Sequence, residues 1–121
     1  MKMSPMNWKL TWNPKKYDYN RRMEIFRSGD TNLIYQAKGN QRLKILPKIG
    51  DNIYISCDKK LIMSCVVMSD FKEGKDAQLD ECNLDDPRFH ASEPEYVILK
   101  IVEIYDNPKH FIGFQGTWKQ I

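Results

Sequence analysis

The chain has 121 residues, of which 41% are hydrophobic and 12% aromatic, a composition that predicts one ordinary globular domain spanning residues 1–121. No apolar run comes near the roughly 20 residues that a membrane-spanning helix requires, and the N-terminal stretch lacks the long apolar core of a secretory signal. The three cysteines are odd in number and show no paired spacing, which favours a reducing, cytoplasmic location.

The net charge of +3 is unevenly distributed along the chain. Residues 1–50 carry eleven Lys or Arg and three acidic residues, a net charge of +8, whereas residues 72–95 carry eight acidic and three basic residues, a net charge of −5. Segments of opposite charge suggest a surface with one basic face, and the anionic phosphate backbone of a nucleic acid attracts such a face. The alternative is an uneven but merely solvated surface, and charge alone does not decide between them.

The first predicted elements are a strand and a helix. Residues 8–12 alternate large apolar and polar side chains, which indicates a strand with one buried face, and Asn13-Pro14 ends it. A helix is predicted to begin at Asp18, a good N-cap, and to stop at Gly29. Its predicted buried stripe is Tyr19, Met23 and Phe26, and its predicted solvent-facing basic residues are Arg21, Arg22 and Arg27.

The middle of the chain predicts a short strand and a hairpin. Residues 33–35 are a candidate strand, and residues 43–49 are expected to cover one end of the sheet. Ile49-Gly50-Asp51-Asn52 is a turn signal. It opens a hairpin with strands at 53–57 and 61–68, and the almost continuous apolar character of the second strand predicts a central position covered on both faces.

The last third begins with a polar, acidic excursion over residues 71–95, with a candidate helical turn at 77–82. The longest strand is predicted at 96–105, and residues 110–121 are predicted to form a final strand pair. Many short strands with few helices favour an α+β fold built as a mixed β-barrel, closed or half-closed, of about five or six strands with one or more flanking helices.

Catalytic and metal-binding patterns are not evident. His90 and His110 are the only histidines, and neither has the spacing of a catalytic pair; a pairing of Cys82 with His90 is a weak alternative. No tight ligand spacing of the kind zinc requires occurs, nor any phosphate-binding loop. The sequence therefore predicts a protein that is not an enzyme and that carries no metal or cofactor.

What remains is a set of interleaved aromatic and basic side chains. Aromatic rings stack on bases and basic side chains attract phosphate, although each residue alone is equally consistent with a core or surface role, and Trp12 is more readily interpreted as core. The aromatic candidates are Trp12, Tyr17, Tyr19, Tyr35 and Trp118; the basic candidates are Lys15, Lys16, Lys38, Arg42 and Lys44.

Several of these segments resemble the EVE domain, a member of the PUA-like superfamily that also includes the YTH readers of methylated adenine. The resemblance covers most of the chain through short motifs: WNPKKYD at 12–18, YQAKGNQRL at 35–43, IGDNIYIS at 49–56, DPRF at 86–89, EPEYV at 93–97 and GTWKQI at 116–121.

The resemblance implies a small PUA-like barrel with a pocket for a flipped, often modified, base of DNA or RNA. In this chain the implied pocket residues are Trp12, Asn13, Tyr35, Gln36 and Ala37. Phosphate contacts would come from Lys15, Lys38 and Arg42.

The leading hypothesis is thus a non-catalytic reader of modified bases in DNA or RNA, with a restriction-type nuclease as a candidate partner and no membrane association. Two alternatives stay open. One is a protein-interaction or inhibitory module, of phage or host-defence type, that uses the acidic 72–95 loop. The other is a nuclease on the same kind of fold, which would require an acid–base pair that the sequence does not display.

Overall fold

The computed structural model describes residues 5–12, 18–30, 32–37, 45–57, 59–73, 95–105 and 118–120. These ranges contain one helix and seven strands. In chain order the elements are β1 (Asn7–Trp12), α1 (Tyr19–Arg27), β2 (Leu33–Ala37), β3 (Asn52–Cys57), β4 (Lys60–Val67), β5 (Lys72–Glu73), β6 (Glu95–Ile104) and β7 (Trp118–Gln120).

All seven strands belong to one mixed sheet, in the order β2-β6-β4-β3-β1-β7, with β5 also paired to β6. The pairing of β1 with β3 is parallel, and the other pairings are antiparallel. A parallel pair requires a crossover connection rather than a tight hairpin. Helix α1 and strand β2 lie within the long connection between β1 and β3.

One face of the sheet, here called the core face, carries the buried apolar side chains. Trp8, Leu10 and Trp12 of β1 are registered with Ile53, Ile55 and Cys57 of β3, and all six are buried. The same face continues through Met63, Cys65 and Val67 of β4 and through Leu99 and Ile101 of β6. The period of two in these strands therefore produces one continuous core.

Helix α1 packs against the core through Met23 and Ile25, with Tyr19 and Phe26 partly buried beside them. Its ends follow local rules. The Asp18 carboxylate accepts a hydrogen bond from the Arg21 N–H at 3.1 Å, as an N-cap should. Gly29, which follows the C-cap residue Ser28, has φ +78°, a conformation that glycine adopts without a Cβ clash.

The predicted elements are confirmed where the structure describes them. The strand at 8–12, the helix from Asp18 to Gly29, the hairpin of β3 and β4, and the long strand β6 lie within a residue or two of the predicted bounds. The predicted strand at 33–35 extends to Ala37. The Asn13-Pro14 break, the helical turn at 77–82 and residues 110–117 of the final strand pair lie outside the described residues.

Three expectations need correction. The sheet is not closed: β2 and β7 are its terminal strands and do not pair with each other over the described ranges. Strand β4 is central, but its second face is only half-buried at Ser64 and Val66. Arg22, expected at the surface of α1, is 3% exposed, and its Nη1 donates to the Leu33 carbonyl at 3.5 Å. It lies on the helix face that packs on the sheet, where its long apolar stem can be buried.

In the part of the chain that the structure covers, no helix is long and apolar enough to cross a membrane.

Candidate functional site

The buried carboxylate of Asp51 ties together three parts of the chain at the start of β3. Its Oδ1 accepts the Met6 N–H at 3.0 Å, and its Oδ2 accepts the Trp8 indole Nε1–H at 3.1 Å and the Lys48 N–H at 2.9 Å. Asp51 is only 6% exposed. Because buried polar groups must be hydrogen-bonded to be tolerated, these three donors explain how a carboxylate can occupy this position.

The same contacts position the segment 45–50 beside the end of β4. The Gly50 N–H donates to the Val67 carbonyl at 2.9 Å, and the Val67 N–H donates to the Asp51 carbonyl at 3.0 Å. Gly50 has φ +93°, so the tight turn into β3 uses the conformational freedom of glycine. The hydrogen bonds place Gly50 and Asp51 beside Val67 at the end of β4, and Pro47 is buried; the prediction that residues 43–49 cover one end of the sheet stays a prediction.

An enlarged β-bulge, with four residues opposite two, follows β4 at this end of the sheet. Val67 is registered with Leu99, and Lys72 is registered with Tyr96, so four residues (68–71) face two residues of β6. The Met68 N–H donates to the Ile98 carbonyl at 2.8 Å. The Ile98 N–H, which has lost its ladder partner, donates to the Ser69 Oγ at 3.0 Å. Bulges of this kind redirect side chains that regular alternation would place on opposite faces.

The bulge and the 45–48 segment line an open cavity of about 500 Å³. The described part of its lining is Ile45, Leu46, Pro47, Lys48, Asp70 and Phe71. Such a volume lies within the ~300–1,000 Å³ range of small-molecule sites. The described lining combines aliphatic side chains, one aromatic ring, one cation and one carboxylate. The half-buried Phe71 also packs against the core cluster.

The surroundings of the cavity are apolar and accessible. Ile45, Ile49 and Met68 are 48%, 62% and 48% exposed. Ile49 precedes Gly50 and Met68 follows Val67, and the Gly50–Val67 hydrogen bond brings these two positions together. Of these three side chains, Ile45 is among the described residues that line the cavity.

Among the predicted pocket residues that the structure describes, Trp12 and Tyr35–Ala37 lie at opposite ends of the sheet. Trp12 is registered with Cys57, level with Lys60, the first residue of β4. Val67, the last residue of β4, pairs with Leu99 of β6. Tyr35–Ala37 pair with the residues of β6 that precede Leu99, so they lie past the end of β4 that is opposite to Lys60. Seven residues of extended chain correspond to roughly 23 Å along a strand, and three strands separate β1 from β2.

Trp12 belongs to the core cluster and is 5% exposed. Its ring packs inside the protein in this structure, in line with the core interpretation of its position. For Tyr35, Gln36 and Ala37 the structure describes the backbone, and Ala37 and Lys72 pair with the same residue of β6, Tyr96, from opposite sides. The end of β2 therefore lies near the bulge, whereas Trp12 does not.

The remaining predicted site residues, Asn13, Lys15, Lys38 and Arg42, lie outside the described residues. The acidic loop is described only at its two ends, where Lys72–Glu73 of β5 pairs with β6.

The residues that line the cavity were missed because their signal is weak in the linear sequence. Ile45 and Leu46 stand in a basic stretch, and Asp70-Phe71 follows the end of a strong strand. The one local hint is the pair of large apolar residues in a segment with no strand or helix periodicity. The 45–48 segment and Asp70-Phe71 come close only because β5, which begins at Lys72, pairs with β6 about 25 residues further along the chain.

Two thiols lie in the core, away from the cavity. Cys57 and Cys65 are both 1% exposed. Burial raises the pKa of the Cys65 thiol far above its ordinary value, an effect that the nearby Arg22 guanidinium opposes. A thiol held in its protonated form is a poor nucleophile, so Cys65 is a packing residue.

Among the residues that the structure describes, no group of three or more His, Cys, Asp or Glu side chains is arranged to hold a metal ion. Comparison with protein-family models found no family that matches this chain. No curated protein matches it either.

Proposed function

We propose that this domain is a non-catalytic nucleic-acid-binding module that accepts one unstacked base, in DNA or RNA, in the cavity beside the bulge. The observation that carries the proposal is the lining of that cavity: Phe71 and the aliphatic segment 45–47 next to the basic Lys48. An aromatic ring contributes on the order of 1–3 kcal/mol per stacked base, and a lysine adds attraction to the adjoining phosphate.

The charge of the chain supports this proposal. Residues 1–50, which include the 45–48 wall of the cavity, carry a net charge of +8. A basic segment next to an apolar cavity fits a polymer whose backbone is anionic and whose bases are flat and largely apolar. Removing a base from its stack costs a few kcal/mol, which contacts in the cavity must offset.

The fold is compatible with the finer proposal that the domain is of EVE or PUA-like type. The mixed, mostly-β sheet with one helix supports this proposal, whereas the open order of the described strands differs from the barrel that the resemblance implies. The bound base would be a modified one. In this proposal the domain acts in the cytoplasm, and a restriction-type nuclease is a fitting partner.

The direct test is fluorescence anisotropy with single-stranded DNA and RNA oligonucleotides at two salt concentrations. The set contains unmodified, 5-methylcytosine, 5-hydroxymethylcytosine and N6-methyladenine versions of one sequence. We expect binding that weakens as salt rises and that differs among the modifications. Weak, equal and salt-insensitive binding of every oligonucleotide would contradict the proposal.

Two variants assign the binding to the cavity. Phe71→Leu keeps an apolar side chain but removes the ring, and we expect about tenfold weaker binding from the lost stacking. The matched control is Phe26→Leu, which changes another half-buried phenylalanine, on α1. Lys48→Gln should lower the salt dependence by about one phosphate contact, whereas Lys60→Gln, at the opposite end of β4, should not.

A second candidate function, a protein-interaction module, is favoured by the exposed apolar side chains Ile45, Ile49 and Met68. The acidic 72–95 loop would add charge to such a contact. Deleting residues 74–94 should then abolish capture of a protein partner and leave oligonucleotide binding unchanged. Loss of oligonucleotide binding in the deletion variant would contradict this second candidate.

A further inference from the structure

Asp70 is an exposed carboxylate at the wall of the cavity, next in sequence to Phe71. In the described part of the chain its side chain makes no hydrogen bond or ion pair. An ionised carboxylate accepts hydrogen bonds and donates none. The cavity therefore presents an unoccupied, acceptor-only group beside an aromatic ring.

The bulge explains why these two neighbours line the same cavity. In a regular strand, successive side chains point to opposite faces. Here residues 68–71 are set against only two residues of β6, and Ser69 uses its side chain to accept the Ile98 N–H. Because regular alternation is interrupted, the ring and the carboxylate can approach one ligand together.

The bases differ in what they offer to such an acceptor. Cytosine, adenine and guanine each carry an exocyclic amino group, whose N–H donors a carboxylate accepts well. Uracil and thymine carry a carbonyl oxygen at the position equivalent to the cytosine amino group. A carboxylate opposite this carbonyl would face another acceptor, with which it cannot form a hydrogen bond, so uracil and thymine offer it only their single ring N3–H.

We propose that the cavity selects an unpaired base that carries an exocyclic amino group (cytosine, adenine or guanine) over uracil and thymine, with Asp70 accepting the amino hydrogen while Phe71 stacks on the ring. This inference rests on the proposed function and goes beyond it by assigning a specificity-determining residue. Lys48 supplies the base-independent attraction to phosphate.

The test uses short DNA and RNA probes with a single central base, cytosine or uracil, flanked on both sides by abasic sugar-phosphate units. Cytosine and uracil have rings of the same size, so the two probes should stack on Phe71 almost equally. They differ at the edge of the base, where cytosine has an amino group and uracil a carbonyl oxygen. We expect the wild-type protein to bind the cytosine probe about tenfold more tightly than the uracil probe. An adenine probe should bind like cytosine.

The Asp70→Asn variant identifies the group responsible. An amide both donates and accepts, so we expect the cytosine-to-uracil ratio to fall to about one. The thermal midpoint should not change, because Asp70 is exposed. Asp30→Asn changes another exposed aspartate, one that is not among the residues lining the cavity, and should keep the wild-type ratio.

The outcomes separate this inference from the function on which it rests. If no probe binds, the proposed function fails. If both probes bind equally to the wild type, or if Asp70→Asn keeps the tenfold ratio, the selectivity proposal is overturned and the proposed nucleic-acid binding stands.

Discussion

The Asp51 carboxylate shows how one residue positions a site that it does not line. It accepts N–H groups from Met6, from the Trp8 indole and from Lys48, and these belong to the entry of β1, to β1 itself and to the cavity wall. A hydrogen bond to a charged group contributes about 1.5–3 kcal/mol, and a buried donor left without its partner costs about as much. Asp51 is therefore expected to govern both stability and the shape of the cavity.

We predict that Asp51→Asn lowers the free energy of unfolding by roughly 2–4 kcal/mol, because the amide nitrogen cannot replace the carboxylate oxygen as an acceptor. The measurement is urea unfolding followed by tryptophan fluorescence. The control is Asp30→Asn at an exposed position, which should change stability by less than about 0.5 kcal/mol. Equal stability of the two variants would show that the Asp51 contacts contribute little.

At the scale of elements, the bulge between β4 and β5 is where the sheet departs from regular pairing to form the cavity wall. The departure is tolerated because the Ser69 hydroxyl accepts the Ile98 N–H at 3.0 Å. Ser69 is 7% exposed, so water is a poor substitute. Within the bulge, the Ile98 N–H of β6 therefore depends on the Ser69 side chain for its hydrogen bond.

We predict that Ser69→Ala costs about 1–3 kcal/mol of stability, the cost of one unsatisfied buried donor. It should also accelerate hydrogen exchange at the Ile98 amide more than elsewhere in β6, and weaken oligonucleotide binding if the cavity is the site. Ser64→Ala, on the half-buried second face of β4, serves as the control. Unchanged exchange at Ile98 in Ser69→Ala would contradict this role.

Side-chain hydrogen bonds between β1 and β3 align this parallel pair of strands. Thr11 and Ser56 are registered with each other on the second face, are 4% and 0% exposed, and share a hydrogen bond of 2.9 Å between their hydroxyl oxygens. Nearby on the same face, the Asn52 Nδ2 donates to the Asn7 Oδ1 at 3.1 Å. Cross-strand pairs of this kind specify the register of neighbouring strands.

We predict that Thr11→Val and Ser56→Ala each destabilise the protein by about 1 kcal/mol, because each leaves one buried hydroxyl alone. The double variant should cost less than the sum of the two, since it removes both polar groups. A double-mutant cycle by urea unfolding measures this coupling. Strict additivity would mean that the two hydroxyls do not interact.

At the scale of the whole molecule, the core makes stability sensitive to alkaline pH. The pKa of the Cys65 thiol is raised by burial in the folded protein, whereas an unfolded cysteine titrates near 8.5. Below pH 8.5 the Cys65 thiol is protonated in both the folded and the unfolded state, and its contribution to the free energy of unfolding does not depend on pH. Above it the unfolded state loses the proton while the folded state keeps it, so the free energy of unfolding falls as pH rises.

We predict that wild-type stability declines between pH 8.5 and 9.5 by up to about 1.4 kcal/mol per unit for this thiol, and that Cys65→Ala shows a smaller slope. Urea unfolding at four pH values measures it. Cys65→Ala also removes buried volume, so its stability is lower at every pH, and the comparison is of slopes. Parallel slopes for the two proteins would contradict the assignment.

The sequence by itself determined the elements and the core. Alternation of large apolar residues at Trp8, Leu10 and Trp12, the N-cap at Asp18 and the positive-φ turn at Gly50 are all encoded within a few residues, so local physics is enough to predict them. The burial of Trp12 follows from the same alternation, and its interpretation as core agrees with the structure.

Only the tertiary structure decided which residues meet. Asp51 contacts Met6 and Trp8 across 45 and 43 residues, and the cavity places Lys48 beside Asp70-Phe71 because β4 and β5 share β6 as a partner. Likewise, strand order and register put Trp12 and Tyr35–Ala37 at opposite ends of the sheet. The reason is physical: periodicity determines which face of a strand is buried, whereas strand order, bulges and long-range hydrogen bonds depend on segments far apart in the chain.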